Sequence, residues 1–176
     1  GSNTILQRNG AKTGLITTRG FRDVLEIGRI RMPEMFDLTW TKPEPLVERR
    51  NRVEVEERIA ADGRVVIPLN EMSLNSAIEK LVAHGVEAVA ICFINSYRNA
   101  VHERHAEALL KSRYPALPVS ASYAVLPEIK EYERTSTTVL NAYLLSVLRS
   151  YLDRLNGGFR AIGVTAPLLV MPLTGC

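Results

Sequence analysis

Residues 128–141 (EIKEYERTSTTVLN) are dense in polar side chains and unusual in the types that they bring together. Arg134 carries a planar guanidinium that can hold a carboxylate or a phosphate at two points. Hydroxyls and free backbone N–H groups follow at residues 135–138, where the pattern predicts the start of a long helix. Such a helix start is an anion-binding arrangement. The side chains assigned to this hypothesis are Arg134, Thr135, Thr137 and Asn141.

The same segment also fits a purely structural interpretation. Thr135 or Ser136 then caps the helix by accepting a hydrogen bond from its first turn. Arg134 in that case forms an ion pair with Glu128 or Glu131 at the protein surface. The residue types alone leave both interpretations open.

Two other groups of side chains have chemical potential but weaker patterns. His102 and His105 lie three residues apart and could share a helical face as metal ligands. Because no third ligand stands at a diagnostic spacing, a solvated helix surface rich in Glu, Arg and His is the preferred interpretation, and no metal site is predicted. Cys92 lies inside an apolar run, where a cysteine usually packs as a small apolar side chain.

Apolar periodicity predicts the elements that would position these side chains. Strands are indicated at residues 11–18, 86–94 and 119–125, and the second is a near-continuous apolar run typical of a strand covered on both faces. A short helix is predicted at residues 20–27, after a tight glycine turn. Strands that alternate with helices predict an α/β fold with a mixed sheet and flanking helices.

Cap residues mark the helices that separate the later strands. Asn70 is a predicted N-cap, and Gly85 stands at the expected position after the last turn of the same helix. Asn99 is predicted to cap a second helix, which ends before Pro115. The apolar stripes that these helices would bury are Leu74, Ala77, Ile78, Leu81 and Val82 in the first and Ala106, Leu109 and Leu110 in the second.

Turn signals complete the predicted organisation. Asp62-Gly63 predicts a hairpin between residues 52–60 and 64–69. The long helix is expected to end at residues 156–158 (Asn-Gly-Gly), and a last strand is expected at residues 166–171. A helix and a strand with nothing to pack against indicate a fragment of a larger protein.

Composition excludes several classes of protein. The 176 residues include 22 Lys and Arg against 19 Asp and Glu, and 46% are hydrophobic, which is typical of a globular domain rather than a disordered chain. Charges of both signs alternate, so no nucleic-acid partner is predicted. The longest apolar run is too short to cross a membrane. Two cysteines, one of them terminal, favour a reducing cytoplasm, and Gly1-Ser2 is interpreted as a cloning scar.

Four stretches in order resemble the hydantoinase/oxoprolinase family. They are residues 15–29 (LITTRGFRDVLEIGR), 42–63 (KPEPLVERRNRVEVEERIAADG), 86–110 (VEAVAICFINSYRNAVHERHAEALL) and 126–144 (LPEIKEYERTSTTVLNAYL). The resemblance covers nearly the whole chain and implies the N-terminal region of a subunit similar to the actin-like ATPases. It further implies a full-length ATP-dependent enzyme that acts on cyclic amides, with Mg²⁺ and a second, hydantoinase B-type subunit. Arg134, Thr135, Thr137 and Asn141 would then face its cleft, with Arg22 and Asp23 behind them.

The chain also departs from that family pattern. Both Gly-rich nucleotide loops that the resemblance leads one to expect are missing, so the isolated chain is predicted to be inactive, with no nucleotide bound, and to depend on the rest of its polypeptide. The predicted organisation is an α/β region at residues 3–156 and the start of a following domain at 157–176. Exposed apolar surface would favour homo-oligomers.

An interpretation of another class is a non-enzymatic α/β module for subunit assembly or small-ligand binding. Its contact surface would be the proline-punctuated loop at residues 31–45, which carries Met35, Phe36 and Trp40. The path of that loop distinguishes the two functions, because the same side chains would otherwise cover the core of their own domain.

Overall fold

The computed structural model describes residues 2–29, 39, 41–161, 163 and 166. The strands are β1 (Thr13–Thr18), β2 (Arg52–Val55), β3 (Arg58–Ile59), β4 (Val65–Ile67), β5 (Ala88–Cys92) and β6 (Val119–Ala121). The helices are α1 (Ser2–Leu6), α2 (Val24–Ile27), α3 (Glu71–Ala83), α4 (Val101–Arg113), α5 (Ser122–Val125) and α6 (Glu131–Ala161), with a 3₁₀ turn at Arg49–Asn51.

Four strands form a parallel sheet in the order β2-β1-β5-β6. Every residue of β1 and of β5 is buried, as expected for central strands that are covered on both faces. The remaining two strands, β3 and β4, pair antiparallel as a separate hairpin. The predicted α/β class, with a sheet and flanking helices, is confirmed. The predicted mixture of strand directions is divided between two sheets, because all parallel pairs lie in the four-stranded sheet and the antiparallel pair forms the hairpin.

Helices cover both faces of the parallel sheet. Side chains alternate along a strand, so Ile91 of β5 packs with α3 and α4 on one face, while Ala90 and Cys92 pack with α2 and α6 on the other. The small side chains on the second face let α6 lie close to β5. The result is a three-layer domain in which the core is split by the sheet.

The predicted cap of α3 is confirmed, whereas that of α4 is wrong by one residue. The Oδ1 of Asn70 accepts a hydrogen bond from Ser73 N at 3.0 Å, and Gly85 adopts a φ of +66° just after α3, a conformation that glycine enters without a steric penalty. Asn99 was predicted to cap α4, but the N-cap is the next residue, Ala100, whose side chain forms no cap hydrogen bond. Asn99 lies one position earlier, where its Oδ1 accepts a hydrogen bond from Val101 N at 3.1 Å. The local signals therefore placed α3 correctly and the cap of α4 one residue too early.

Two strand predictions were wrong in part. Residues 122–125 form α5 and not the end of a strand, because the carboxylate of Glu103 accepts the N–H of Tyr123 and so supports a helical turn there. In the predicted hairpin, only β3 and β4 pair with each other. Residues of β2 instead extend the parallel sheet beside β1, since two of their side chains lie in the core.

The long helix is also longer than predicted. It begins at Glu131 and continues through Gly157 and Gly158 to Ala161. Two glycines cost a helix roughly 1 kcal/mol each, which helix-forming residues on both sides can offset. Beyond residue 147 the helix is largely exposed, with Leu148 at 40% and Tyr151 at 55% exposure.

Some predicted features lie outside the described residues. They include the last strand apart from Ala166, and the loop side chains Met35, Phe36 and Trp40. Within the part of the chain that the structure describes, none of the helices combines the length and the apolar character needed to cross a bilayer.

Candidate functional site

The carboxyl ends of the parallel strands meet at one edge of the sheet. The chain leaves β1 toward β2 on one side and leaves β5 toward β6 on the other, and this divergence between β1 and β5 is where open α/β sheets form their ligand crevices. Seven polar side chains gather there, none more than 7% exposed. This carboxyl-edge cluster consists of Thr18, Glu57, Ser96, His102, Glu103, Ser122 and Arg134.

Glu103 is the acceptor at the centre of one half of the cluster. Its Oε1 accepts hydrogen bonds from Phe93 N at 2.8 Å and from Ser122 Oγ at 2.7 Å, and its Oε2 accepts one from Tyr123 N at 2.8 Å. Burial raises the pKa of Glu103, while these hydrogen bonds act in the opposite direction. One carboxylate thereby fixes the end of β5 and the start of α5.

Arg134 is fully buried beside Glu103 and has no carboxylate partner among the described residues. Its Nη1 donates to Ser96 Oγ and, at 3.2 Å, to Ser122 Oγ. Ser122 therefore bonds to both the guanidinium and Glu103, and links the two charges. The Nε and Nη2 atoms of Arg134 are buried without a hydrogen-bond partner, which is costly for a charged donor.

This geometry differs from both sequence interpretations of Arg134. The helix begins at Glu131, so Arg134 lies at the end of its first turn, with its backbone N–H bonded to Lys130 O, and neither Thr135 nor Ser136 is the N-cap. Among the ion pairs of the described residues, none joins Arg134 to Glu128 or Glu131. A surface ion pair is therefore wrong, because the side chain turns into the sheet edge.

A Glu–His pair forms the other half of the cluster. His102 Nδ1 lies 2.7 Å from Glu57 Oε2, and the second carboxylate oxygen of Glu57 accepts a hydrogen bond from Thr18 Oγ1. Thr18 Oγ1 in turn accepts the N–H of Ile94 at 2.9 Å. Buried polar contacts thus connect the end of β1, the loop that follows β5, and α4.

The predicted solvated face of α4 is correct for His105 and wrong for two of its neighbours. His105 is about half exposed and lies 2.8 Å from Glu71, whereas His102 and Glu103 are buried. The signal that could have found Glu103 is its spacing to Ala106 and Leu110, the buried residues three and seven positions later. Among the described residues, no group of three or more His, Cys, Asp or Glu is placed to hold a metal ion.

The structure divides the remaining candidates on α6. Thr135 faces the sheet, where its Oγ1 lies 3.2 Å from Cys92 Sγ. Asn141 Nδ2 donates to Ser120 Oγ at 2.8 Å. Thr137 is exposed on the opposite side of the helix. Cys92 is 2% exposed and packs within the apolar core, so its predicted packing role is confirmed. Burial raises the pKa of its thiol to about 11.

Arg22 and Asp23 follow β1 and lie apart from Arg134. Both carboxylate oxygens of Asp23 accept hydrogen bonds from Arg49, each at 3.1 Å, and this contact lowers the pKa of Asp23. Among the hydrogen bonds of the described residues, none connects Arg22 or Asp23 with Arg134. The side chains of Arg134, Thr135 and Asn141 therefore all bond to residues of the sheet or of the segments that follow its strands, each to different partners, whereas those of the other three candidates do not within the described part of the chain.

A pH dependence of stability follows from the buried Glu103. The pKa of Glu103 is raised on folding, so the folded state binds the proton of this carboxyl more tightly than the unfolded state does. The contribution of Glu103 to the free energy of unfolding therefore falls as the pH rises above the unfolded pKa of about 4.3. Relative to wild type, Glu103→Gln is expected to become progressively more stable from pH 4 upward. Urea unfolding across pH 4–7 measures this difference, with exposed Glu128→Gln as control. A difference that stays constant with pH would contradict the raised pKa.

Comparisons with known proteins identify the family of this chain. A family model described as the hydantoinase/oxoprolinase N-terminal region matches residues 1–114. The chain is 38% identical to the caprolactamase subunit alpha of Pseudomonas jessenii over 94% of its own length and 24% of that subunit's. It is 33% identical to the acetophenone carboxylase gamma subunit of Aromatoleum aromaticum, over 98% of the chain and 25% of the relative.

Solved structures show the same likeness. The crystal structure of the ATP-dependent caprolactamase from Pseudomonas jessenii matches with a TM-score of 0.88 and 38% identity, over 94% of this chain and 24% of that one. A nucleotide-free acetone carboxylase matches with a TM-score of 0.79 and 31% identity, over 92% of this chain and 24% of that one. The chain thus spans about a quarter of the length of these relatives.

The parallel sheet, the helices on both of its faces and the carboxyl-edge cluster define a three-layer α/β domain with polar groups at the carboxyl ends of its strands. Within that class, the chain belongs to the hydantoinase/oxoprolinase family and corresponds to its N-terminal region. The expected family is therefore confirmed.

Proposed function

We propose that this chain is part of an ATP-dependent enzyme that opens cyclic amide bonds, as hydantoinases and 5-oxoprolinases do. The observation that carries the proposal is the 0.88 TM-score and 38% identity to an ATP-dependent caprolactamase over 94% of the chain. A 5-oxoprolinase of Saccharomyces cerevisiae is also similar, at 30% identity over 89% of the chain. Both names denote enzymes whose substrate is a cyclic amide.

In this proposal the carboxyl-edge cluster positions one wall of the cleft. Arg134 holds Ser96 in the loop that follows β5. Glu103 holds the backbone N–H of Phe93, just before that loop, and the N–H of Tyr123 in α5. Arg134 therefore acts as a positioning residue through Ser96. Thr135 and Asn141 fix α6 against the sheet, while exposed Thr137 contacts the rest of the longer polypeptide.

The described residues do not by themselves fit a complete nucleotide site. The two unpartnered nitrogens of Arg134 are the kind of donor that a phosphate accepts from, but the side chain is fully buried. ATP and Mg²⁺ are therefore assigned to the longer polypeptide. No step of their chemistry is derived from this chain.

The isolated chain is accordingly expected to bind ATP weakly and to hydrolyse none. Isothermal titration calorimetry of the 176-residue chain with ATP and Mg²⁺ is expected to show no binding in the micromolar range, because the Gly-rich loops that would cradle phosphates are absent from its sequence. A micromolar dissociation constant would contradict the proposed division of labour.

The proposal itself is tested on the complete polypeptide that contains this region, together with its partner subunit. Coupled assays measure ATP hydrolysis in the presence of hydantoin, 5-oxoproline and caprolactam. Hydrolysis stimulated by at least one cyclic amide supports the enzyme. Stimulation by ketones and bicarbonate alone would assign a carboxylase instead.

The second candidate is an assembly module without its own chemistry. The exposed apolar side chains Leu148 and Tyr151 on α6 favour it, as does the likeness to subunits of multi-subunit enzymes. The proposed partner is a separate subunit of the hydantoinase B type, in the cytoplasm. The same assays distinguish the two when they are repeated with an Arg134→Lys variant, because turnover is expected to stay unchanged if this region is only an assembly module.

A further inference from the structure

A groove of about 310 Å³ lies between the edge strand β2 and one face of α3. Its lining shares no residue with the carboxyl-edge cluster. Ser73, Ser76 and Lys80 reach it from one side of α3, where residues three, four and seven apart share a face. Arg22, which follows β1, reaches it from the loop after that strand.

Three hydrogen-bond donors in this groove have no partner among the described residues. The Nε of Arg22 is buried and unpaired, and neither its guanidinium nor the Lys80 ammonium takes part in an ion pair of those residues. The hydroxyl of Ser76 is likewise unengaged, whereas Ser73 uses its Oγ to bond Glu56 N and Asn70 O. A buried N–H that lacks an acceptor is costly, and a ligand oxygen would remove that cost.

Among the hydrogen bonds and ion pairs of the described residues, none joins a nearby carboxylate to Arg22 or Lys80. Asp23 is held by Arg49. Glu26 pairs with the Arg52 side chain at 2.9 Å. Glu54 lines the groove itself, where its Oε1 accepts the N–H of Gly20 at 2.8 Å, and it forms no ion pair with Arg22 or Lys80 among the described residues. With Arg52 paired to Glu26, the lining keeps two cations against the single carboxylate of Glu54 and is therefore positive.

We propose that the groove binds a phosphate group, held by Arg22, Ser76 and Lys80. A phosphate carries up to two negative charges and several strong acceptor oxygens, which match two cations and a hydroxyl that approach from different sides. The planar guanidinium can engage two oxygens, while the ammonium acts as a point charge. A carboxylate would neutralise only one of the two cations. This inference is independent of the proposed enzymatic function.

Inorganic phosphate titrated into the ¹⁵N-labelled 176-residue chain, with sodium chloride at equal ionic strength as reference, tests the proposal. Phosphate is expected to shift the amide signals of Ser76 and Lys80 and the Nε–H signal of Arg22 in a saturable manner. Arg22→Gln and Lys80→Gln are each expected to weaken binding about tenfold, the effect of losing one charge-assisted contact. The exposed cation Arg149 on α6 gives the matched control, Arg149→Gln, which should bind as wild type.

Further ligands identify the source of the phosphate. If glycerol 2-phosphate shifts the same signals in a saturable manner, the site accepts phosphate esters, whether or not inorganic phosphate also binds. Binding of inorganic phosphate alone supports a site for the free ion. Shifts no larger than those caused by chloride, equal binding of acetate, or unchanged affinity in both variants would overturn the proposal. These outcomes leave the enzyme assays unaffected, since no turnover is measured.

Discussion

Arg134→Met is expected to lower the free energy of unfolding by about 3 kcal/mol, the low end of the range for breaking a buried charge interaction. Methionine fills a similar volume, so the cost does not come from a cavity. It comes from Glu103, which loses the buried cation that Ser122 links to it, and from Ser96, which loses a donor. Relief of the two unpaired guanidinium nitrogens offsets part of the loss.

Chemical denaturation measures this change, and Arg149→Met on the exposed part of α6 is the control. A double-mutant cycle with Glu103→Gln isolates the coupling of the two buried charges. The double variant is expected to be more stable than the sum of the single changes predicts. Additive effects, or a gain in stability from Arg134→Met, would show that the guanidinium is not compensated by Glu103.

Local signals were sufficient for much of the fold. The cap residue Asn70, the αL glycine Gly85 and the apolar run of β5 each act through neighbours in sequence, so their consequences could be predicted. The errors came where distant contacts decide. α5 replaces the last four residues of a predicted strand because Glu103, nineteen residues before Ser122, accepts hydrogen bonds from that turn.

The candidate site was only partly predictable for the same reason. Arg134 stood out by residue type, but its burial depends on the hydroxyls of Ser96 and Ser122, which are 38 and 12 residues away. Glu57 and His102 meet across 45 residues, and no spacing rule connects them. A charged residue that falls on an apolar stripe, as Glu103 does, is a sequence signal that could have pointed to the buried cluster.

Arg134→Lys is expected to reduce the turnover of the complete enzyme about a hundredfold, the scale of effect produced by misplacing a reacting group by about 1 Å. Lysine keeps the positive charge but loses the fixed planar geometry with which Nη1 reaches both Ser96 and Ser122. The loop after β5 would then lose its support. Since Arg134 touches no ligand in this proposal, kcat is expected to fall while KM changes little.

The decisive measurement is cyclic-amide-dependent ATP hydrolysis by the complete polypeptide and its partner subunit, with wild type, Arg134→Lys and the control Arg149→Lys compared. Thermal melts set an assay temperature at which all three proteins are folded, so that a loss of stability is not counted as a loss of rate. The predicted result is a kcat about a hundredfold lower for Arg134→Lys alone. A rate within about threefold of wild type for the folded Arg134→Lys enzyme would contradict the claim that the buried edge of this domain positions the active cleft.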